Sequence, residues 1–341
     1  MAFLKTLGLL FSLLLSSNIL ADSIKINPNH PDQYTVVKGD TLWDISGKFL
    51  ENPWQWPEVW GNNPQIKNPH LIYPGDTVYF SMVDGKPRLS LSKNTQILTP
   101  VIRESSLDQA IKLIPTDAIA QFLTSPKVVD DKELAQSPYV IDFAGEHLIA
   151  GAGDRIYVRA IPNPKSLGYT IFRAGETYIN AETQEILGYE AKYIADTTIE
   201  RAGDPATLKI IKSDSEIRTG DRLMVSAEGE LSLNFFPHHP EQPIKGNIIS
   251  VLDGVSQIGQ YNIVVLDKGL VDGLKSGHVL DIYHRGRIVN DPYSKQKNAG
   301  IKLPDEIAGV LMVFRSFERV SYALVIEATQ SIHILDRVQT P

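Results

Sequence analysis

The sequence predicts an α+β protein: a small strand–helix–helix–strand domain, a connector, and a mostly-β C-terminal region of two related modules. Three observations lead to this fold class. Residues 34–80 hold two apolar segments at helical spacing between two strand-like segments. From Tyr139 onward, short apolar runs alternate with Gly, Asp and Pro in the pattern of strands and turns. The chain of 341 residues is long enough for about two domains.

Residues 1–21 have the pattern of a secretory signal peptide. Lys5 is the only charged residue before the apolar run 7–15, and small residues then lead to Ala21. The run is shorter than the ~20 apolar residues that span a bilayer, so the sequence predicts export rather than a membrane anchor. The chain has no cysteine, so we expect neither a disulfide nor a lipid anchor.

Residues 22–33 predict a flexible lead, and residues 34–37 predict the first strand of the small domain. A turn follows at Gly39. Thr41 stands three residues before Asp44, a spacing at which the threonine caps a helix and the acid favours its positive end. The apolar face of this helix is predicted from three residues at helical spacing: Leu42, Ile45 and Phe49.

A second helix is predicted from Pro57, because proline at the first turn loses no intrahelical hydrogen bond. Val59 and Trp60 are expected to face inward, and Asn63-Pro64 to end the helix. The turn residues 74–76 then lead into a closing strand at residues 77–80.

Two motifs in this segment, Y-x-V-x-x-G-D-T-L-W-x-I and N-P-x-L-I-Y-P-G-D, resemble those of the LysM domain. The resemblance covers residues 34–80. It implies non-catalytic binding of glycans that contain N-acetylglucosamine, such as peptidoglycan. The family binds them in a shallow groove between two loops, which implies two sets of glycan-binding residues here. These are Gly39, Asp40, Thr41 and Leu42 in the first loop, and Asn68, Pro69, His70, Leu71 and Ile72 in the second.

Some of these residues also have a structural interpretation. Leu42 and Ile72 would serve equally as apolar wall for the sugar or as core, and Asp40 fits a turn-and-cap role better than a sugar contact. Two features depart from the family pattern: Ser46-Gly47 replaces a small helix former, and residues 52–56 lengthen the connection between the helices. All four tryptophans lie in this domain. We expect Trp60 in the core and either Trp54 or Trp56 exposed.

Residues 81–138 predict a connector, with a strand at 97–102 and a short helix at 116–123. Two β-rich modules, 139–230 and 244–341, flank a linker at 231–243 that is rich in His and Pro. The strands predicted in the first module are 139–143, 155–160, 169–173, 208–212 and 221–226. Those predicted in the second are 246–252, 261–266, 278–283, 308–315, 322–327 and 337–340.

The two modules have the pattern of an internal duplication. Residues 206–223 parallel residues 322–338 in strand, turn and a final D-R-apolar step, and Gly188 and Gly309 occupy comparable places upstream. The same step occurs at Gly153-Asp154-Arg155-Ile156. We interpret it as a turn that enters a strand rather than as a chemical motif.

No enzymatic or cofactor motif stands out. The segment 254–259 lacks the spacing of a nucleophile elbow, and residues 151–153 lack the third glycine of a dinucleotide loop. His238 and His239 have no partner at metal-ligand spacing, so no metal site is predicted. The sequence also predicts no cofactor and no catalytic residue. The net charge of −7 and the absence of a basic stripe argue against nucleic-acid binding.

The layout also resembles the type IV pilus secretin-associated proteins, whose C-terminal region is similar to part of a flagellar ring protein. Residues 303–328, residues 269–283 and the late I-L-D-R-V carry this resemblance. It implies a non-enzymatic periplasmic protein that anchors an outer-membrane secretin to the cell wall. It also implies that several copies form a ring-like multimer on that secretin. Two alternatives stay open: a LysM-targeted wall hydrolase, and a wall-binding scaffold of another envelope complex.

Overall fold

A computed structural model describes residues 24–60, 72–92, 119, 127–145, 149–161, 164, 166–226, 235–252, 257–291, 293 and 300–341. The chain forms two compact units, Met1–Ile111 and Lys112–Pro341. The predicted signal peptide and the predicted strand at 97–102 lie outside the described residues. So does the predicted helix at 116–123, except Ile119, which is helical and buried. In the part of the chain that is described, no helix has both the length and the apolar character needed to cross a membrane.

The first unit contains the predicted order of strand, helix, helix and strand. Its elements are β1 (Gln33–Thr35), α1 (Leu42–Phe49), a 3-10 turn (Pro53–Gln55), α2 (Trp56–Val59), β2 (Thr77–Val83) and β3 (Lys86–Ser92). The strands form one antiparallel sheet in the order β1-β2-β3. Strand β3 lies in the predicted connector and was not predicted. Asp84 and Gly85, both at positive φ, form the tight turn of its hairpin with β2.

Helix α1 begins as the sequence predicts. The Thr41 hydroxyl accepts a hydrogen bond from the Asp44 backbone N–H at 3.1 Å, and the Asp44 carboxylate accepts one from the Thr41 N–H at 3.0 Å. Leu42, Ile45 and Phe49 are fully buried. The capping box and the apolar face are therefore confirmed.

The second unit contains a first set of strands after a short strand and helix. These are β4 (Lys127–Val129), α3 (Asp131–Gln136), β5 (Tyr139–Phe143), β6 (Arg155–Arg159), β7 (Gly168–Ile179), β8 (Ile186–Arg201), β9 (Ala206–Ser213) and β10 (Arg222–Val225). All pairings are antiparallel, in the order β5-β6-β9-β8-β7-β10, and β10 pairs again with β5. We call these six strands ring 1. Strand β4 lies beside β8, outside the ring.

The second set of strands closes into a barrel, which we call ring 2. It consists of β11 (Lys245–Leu252), β12 (Ile263–Leu266), β13 (Val279–His284), β16 (Glu306–Ser316), β17 (Ser321–Ala328) and β18 (Arg337–Gln339), in the order β11-β12-β17-β16-β13-β18. A separate hairpin of β14 (Ile288–Asn290) and β15 (Gly300–Lys302) was not predicted.

The two rings have the same topology. If the six strands of each ring are lettered a to f in chain order, both rings read a-b-e-d-c-f, with f pairing back to a. Gly188 and Gly309, which the sequence placed at comparable positions of the two modules, both lie in strand d. The two segments that the sequence aligned, 206–223 and 322–338, both hold strands e and f. The shared strand order supports the predicted duplication.

The turns that enter strands b and f are also shared. In each, the side chain of the last turn residue accepts a hydrogen bond from the backbone N–H three residues earlier, at 2.8–3.0 Å. These residues are Asp154 and Asp221 in ring 1, and Asn262 and Asp336 in ring 2. The structural interpretation of the D-R-apolar step is therefore confirmed.

The predicted α+β class is wrong, because the protein is mostly β and its C-terminal region contains a six-stranded barrel. In the described residues, the α-helices are short: Leu42–Phe49, Trp56–Val59 and Asp131–Gln136. The longest strand, β8, was not predicted at all. It carries Glu190, Lys192 and Asp196 at partly or fully exposed positions, so its sequence lacks the apolar run that marked the other strands.

Ring 1 and ring 2 touch through the far end of the β7–β8 hairpin. The hydroxyls of Tyr178 and Tyr322 lie 3.4 Å apart in a buried contact, and burial raises the pKa of both phenols. Ser250 Oγ donates to Glu176 at 3.0 Å. The second unit therefore holds its two rings together through packed and polar contacts.

Candidate glycan-binding site

The first predicted binding loop is a tight turn between β1 and α1. Asp40 accepts hydrogen bonds from the Val37 N–H at 2.9 Å and from the Tyr34 hydroxyl at 3.1 Å. Burial, followed by the hydrogen bond to Asp40, raises the pKa of Tyr34. Gly39 has φ +101°, a conformation that L side chains rarely adopt. The Asp40 carboxylate therefore serves the turn, as the sequence favoured.

The second loop is described only from Ile72 onward. Four of its predicted binding residues lie outside the described residues: Asn68, Pro69, His70 and Leu71. At its end, the Asp76 carboxylate accepts from the Tyr73 N–H at 3.0 Å.

Two backbone hydrogen bonds tie the ends of the two loops together. The Gly75 N–H donates to the Val36 carbonyl at 2.8 Å, and the Val36 N–H donates to the Asp76 carbonyl at 2.9 Å. Val36 is itself buried. These two bonds fix residues 75 and 76, which follow the second loop, against Val36, which precedes the first.

Three predicted binding residues are buried. Leu42 and Ile72 have no exposed surface, and Thr41 is 8% exposed with its hydroxyl 2.7 Å from the Asp44 carboxylate. The sequence left open whether Leu42 and Ile72 line the sugar site or pack in the core. The structure places both residues in the core. The exposed apolar residue beside the turn is Val37, at 53%. Sequence reasoning missed it, although its place next to buried Val36 in an alternating strand is a usable signal.

The expectation that Trp54 or Trp56 is exposed is wrong. They are 4% and 2% exposed, and Trp43 and Trp60 are also buried, so Trp60 lies in the core as predicted. A domain this small has few other large apolar side chains, and burying its indoles gives it a core.

The two departures from the family pattern touch each other. A Cβ atom added at Gly47 would lie 3.3 Å from Cγ of Pro53. Gly47 therefore allows the lengthened connection to pass close to α1.

Comparison with known proteins identifies this part of the chain. Residues 34–81 match the LysM domain family. A 55-residue segment is 42% identical to the uncharacterized protein YqbP of Bacillus subtilis (strain 168), covering 13% of this chain and 25% of that protein. The chain thus spans about a quarter of that relative's length. LysM is a binding domain, so residues 34–81 indicate attachment to cell-wall peptidoglycan.

Proposed function

We propose that this chain is a non-enzymatic, exported adapter that holds peptidoglycan through residues 34–81 and an envelope protein through its two rings. The observation that carries the first half is the LysM match over residues 34–81. The backbone pairing of Val36 with residues 75–76 supports it, since loop ends that are already fixed lose little conformational freedom on binding.

Within the groove, we assign the sugar contacts of the first loop to its backbone and to Val37. The carboxylate of Asp40 and the hydroxyl of Thr41 already have partners inside the loop, and Leu42 is core. Lys38 and Gly39 are exposed, which leaves their N–H and C=O groups for an acetamido sugar. Val37 offers the apolar surface that a sugar methyl group needs.

Gly39→Leu tests this assignment, with Gly85→Leu as the matched control. Both glycines have positive φ and nothing within 4 Å of an added Cβ atom, so each variant should lose about 1–2 kcal/mol of stability. Gly85 lies in the β2–β3 turn, at the other end of β2 from the groove. We expect Gly39→Leu to abolish co-sedimentation with purified sacculi and Gly85→Leu to keep it. Equal binding by both variants would remove the groove assignment.

For the protein partner, we propose a type IV pilus secretin in the Gram-negative periplasm. The support is the sequence resemblance of residues 269–283 and 303–328. In the structure, these segments include β13, β16 and β17, most of whose residues are buried in ring 2. The resemblance therefore bears on the fold of ring 2 more than on its surface. A ring of copies on the secretin would multiply weak single contacts with the wall.

An affinity pull-down from wall-digested envelopes tests the partner. The variant should lack residues 24–92, because β3 pairs with β2 and buries Leu89 in the first unit. We expect both the full chain and this variant to recover the secretin, identified by mass spectrometry. The assignment to the rings would be overturned if the full chain recovered other machinery, or if the variant without residues 24–92 no longer recovered the secretin.

A peptidoglycan zymogram of the full chain tests the hydrolase alternative. It should show no clearing, and a cleared zone would instead support that alternative.

A further inference from the structure

Three side chains of ring 2 converge where β13 ends and β18 begins. His284, His333 and Asp336 each place a possible ligand atom within 4.8 Å of the others. Nδ1 of His284 lies 3.2 Å from Asp336 Oδ1, and Nδ1 of His333 lies 3.9 Å from Asp336 Oδ2. Asp336 is 3% exposed. The cluster is far from the candidate glycan site in sequence and has no part in the proposed function.

Ring 1 contains a different charge partner at the equivalent position. Its equivalent carboxylate, Asp221, is also buried and accepts two hydrogen bonds of 2.7 Å from the Arg173 guanidinium. Arg222 pairs with Phe172 across strands f and c, as Arg337 pairs with Tyr283 in ring 2. Arg173 and His284, one residue further on, are therefore equivalent.

The second histidine also replaces an arginine. Each turn carboxylate accepts a hydrogen bond from the backbone N–H three residues earlier, which belongs to Arg218 in ring 1 and to His333 in ring 2. Two positions occupied by permanent cations in ring 1 thus hold imidazoles in ring 2. An imidazole, unlike a guanidinium, carries no permanent charge to balance a buried carboxylate.

The other cations near Asp336 have different carboxylate or amide partners. Arg285 donates its backbone N–H to Asp336 at 3.2 Å, but its guanidinium donates to Asn247 at 2.6 Å. Arg337 pairs with Asp305 at 3.1 Å. Nδ1 of His333 is buried and makes no hydrogen bond within the described residues. This nitrogen lies 3.9 Å from Asp336 Oδ2, beyond hydrogen-bond length, and is therefore available to an ion shared with the carboxylate.

We propose that His284, His333 and Asp336 bind one divalent transition-metal ion, of the Zn²⁺ class, that replaces the arginine charge of ring 1. Two imidazoles and one carboxylate favour zinc, cobalt or nickel over magnesium or calcium. Four-coordinate zinc, with bonds of about 2.0–2.2 Å, places its ligand atoms about 3.3–3.5 Å apart. The Nδ1 atoms of His284 and His333 lie 3.3 and 3.9 Å from one carboxylate oxygen, Asp336 Oδ2, so the first matches that spacing and the second slightly exceeds it. Both histidines are partly exposed, at 41% and 45% of their side chains, so water has access to a fourth position.

The test uses the full chain without an affinity tag, stripped with a chelator and then dialysed. Cobalt is titrated first, because its visible absorption reports coordination directly, and zinc is then measured by calorimetry. His284→Arg is the decisive variant, since it rebuilds the ring 1 pair and keeps the buried carboxylate balanced without metal. His239→Gln is the control, an exposed histidine outside the cluster.

We expect saturable binding of one ion per chain, with a zinc-dependent rise in the melting temperature. In His284→Arg the affinity should fall by at least about 100-fold, with an unchanged circular dichroism spectrum, and the zinc-dependent rise should vanish. His239→Gln should behave like the natural chain. The proposal is overturned by the absence of saturable binding, by undiminished binding in His284→Arg, or by loss of binding in His239→Gln.

Discussion

Ring 1 and ring 2 share a strand order and a pair of turns, yet they differ in the side chains those turns carry. In both rings, the turn before strand f exchanges two backbone hydrogen bonds with strand a, through Val140 in ring 1 and Ile248 in ring 2. The buried turn carboxylate is balanced by Arg173 in one ring and faces two histidines in the other. The comparison teaches that backbone pairing sets the fold, whereas the charge partner at the turn is free to vary.

The largest expected effect comes from removing the two turn carboxylates separately. Asp221→Ala leaves the partly buried Arg173 without its partner and should cost about 3 kcal/mol. Asp336→Ala in chelator leaves two imidazoles and loses the hydrogen bonds from the His333 and Arg285 backbone N–H groups, at about 1–2 kcal/mol. Urea unfolding followed by circular dichroism measures both. Equal losses would show that the arginine adds nothing, and would break the distinction between the rings.

A second difference concerns strand c, where Asp281 of ring 2 occupies the place of Thr170 in ring 1. Burial raises the pKa of Asp281 from 3.8 to about 6. The folded chain therefore favours the protonated carboxyl. Its contribution to stability is fully present below pH 3.8 and is lost as the pH rises through about 6.

Asp281→Thr should therefore stabilise the chain by about 2 kcal/mol at pH 7.5, which is the ~3 kcal/mol of the pKa shift discounted for solvent screening, and bring little gain at pH 4. Urea midpoints measured across this pH range test the expectation. Asp142→Thr, at an exposed position of ring 1, provides the control and should show no such pH-dependent gain. A gain that does not change with pH would mean that the threonine packs better rather than that a charge was removed.

The smallest expected effect lies at the residue before each turn carboxylate. Gly220 of ring 1 has φ +91°, and Leu335 of ring 2 has φ +74° with 45% of its surface exposed. Leu335→Gly should stabilise the chain by about 1 kcal/mol, because it relieves a left-handed leucine that contributes little packing. Gly220→Leu should cost a similar amount. Thermal melts of the two variants should shift in opposite directions, and shifts of the same sign would contradict the equivalence.

Sequence reasoning predicted the strands of both rings wherever an apolar run lay between turn residues. It missed β8, whose 16 residues mix buried positions such as Ile194 with exposed charges. It also missed β3, although Asp84-Gly85 is a strong hairpin signal. A strand such as β8, which has no apolar run, is recognised only through its pairing partners, and pairing between distant segments is invisible in a single sequence.

The candidate site was predicted only in part, because a single sequence reveals local contacts but not contacts between distant segments. The turn role of Asp40 and the capping box follow from residues within four positions of one another, and both were predicted. The burial of Leu42 and Ile72 depends on packing between distant segments, which spacing alone left open. The cluster of His284 and Asp336 joins residues 52 positions apart, so only the pairing of β13 with β18 reveals it.

The burial of every tryptophan in the first unit has a spectroscopic consequence. The chain has four tryptophans, all between residues 43 and 60, and each is at most 5% exposed. Excitation at the red edge of the absorption band therefore illuminates the wall-binding domain alone, while tyrosine fluorescence and far-ultraviolet dichroism follow the rings as well. A single sample can thus show whether the domain that holds the wall unfolds before, with or after the rings.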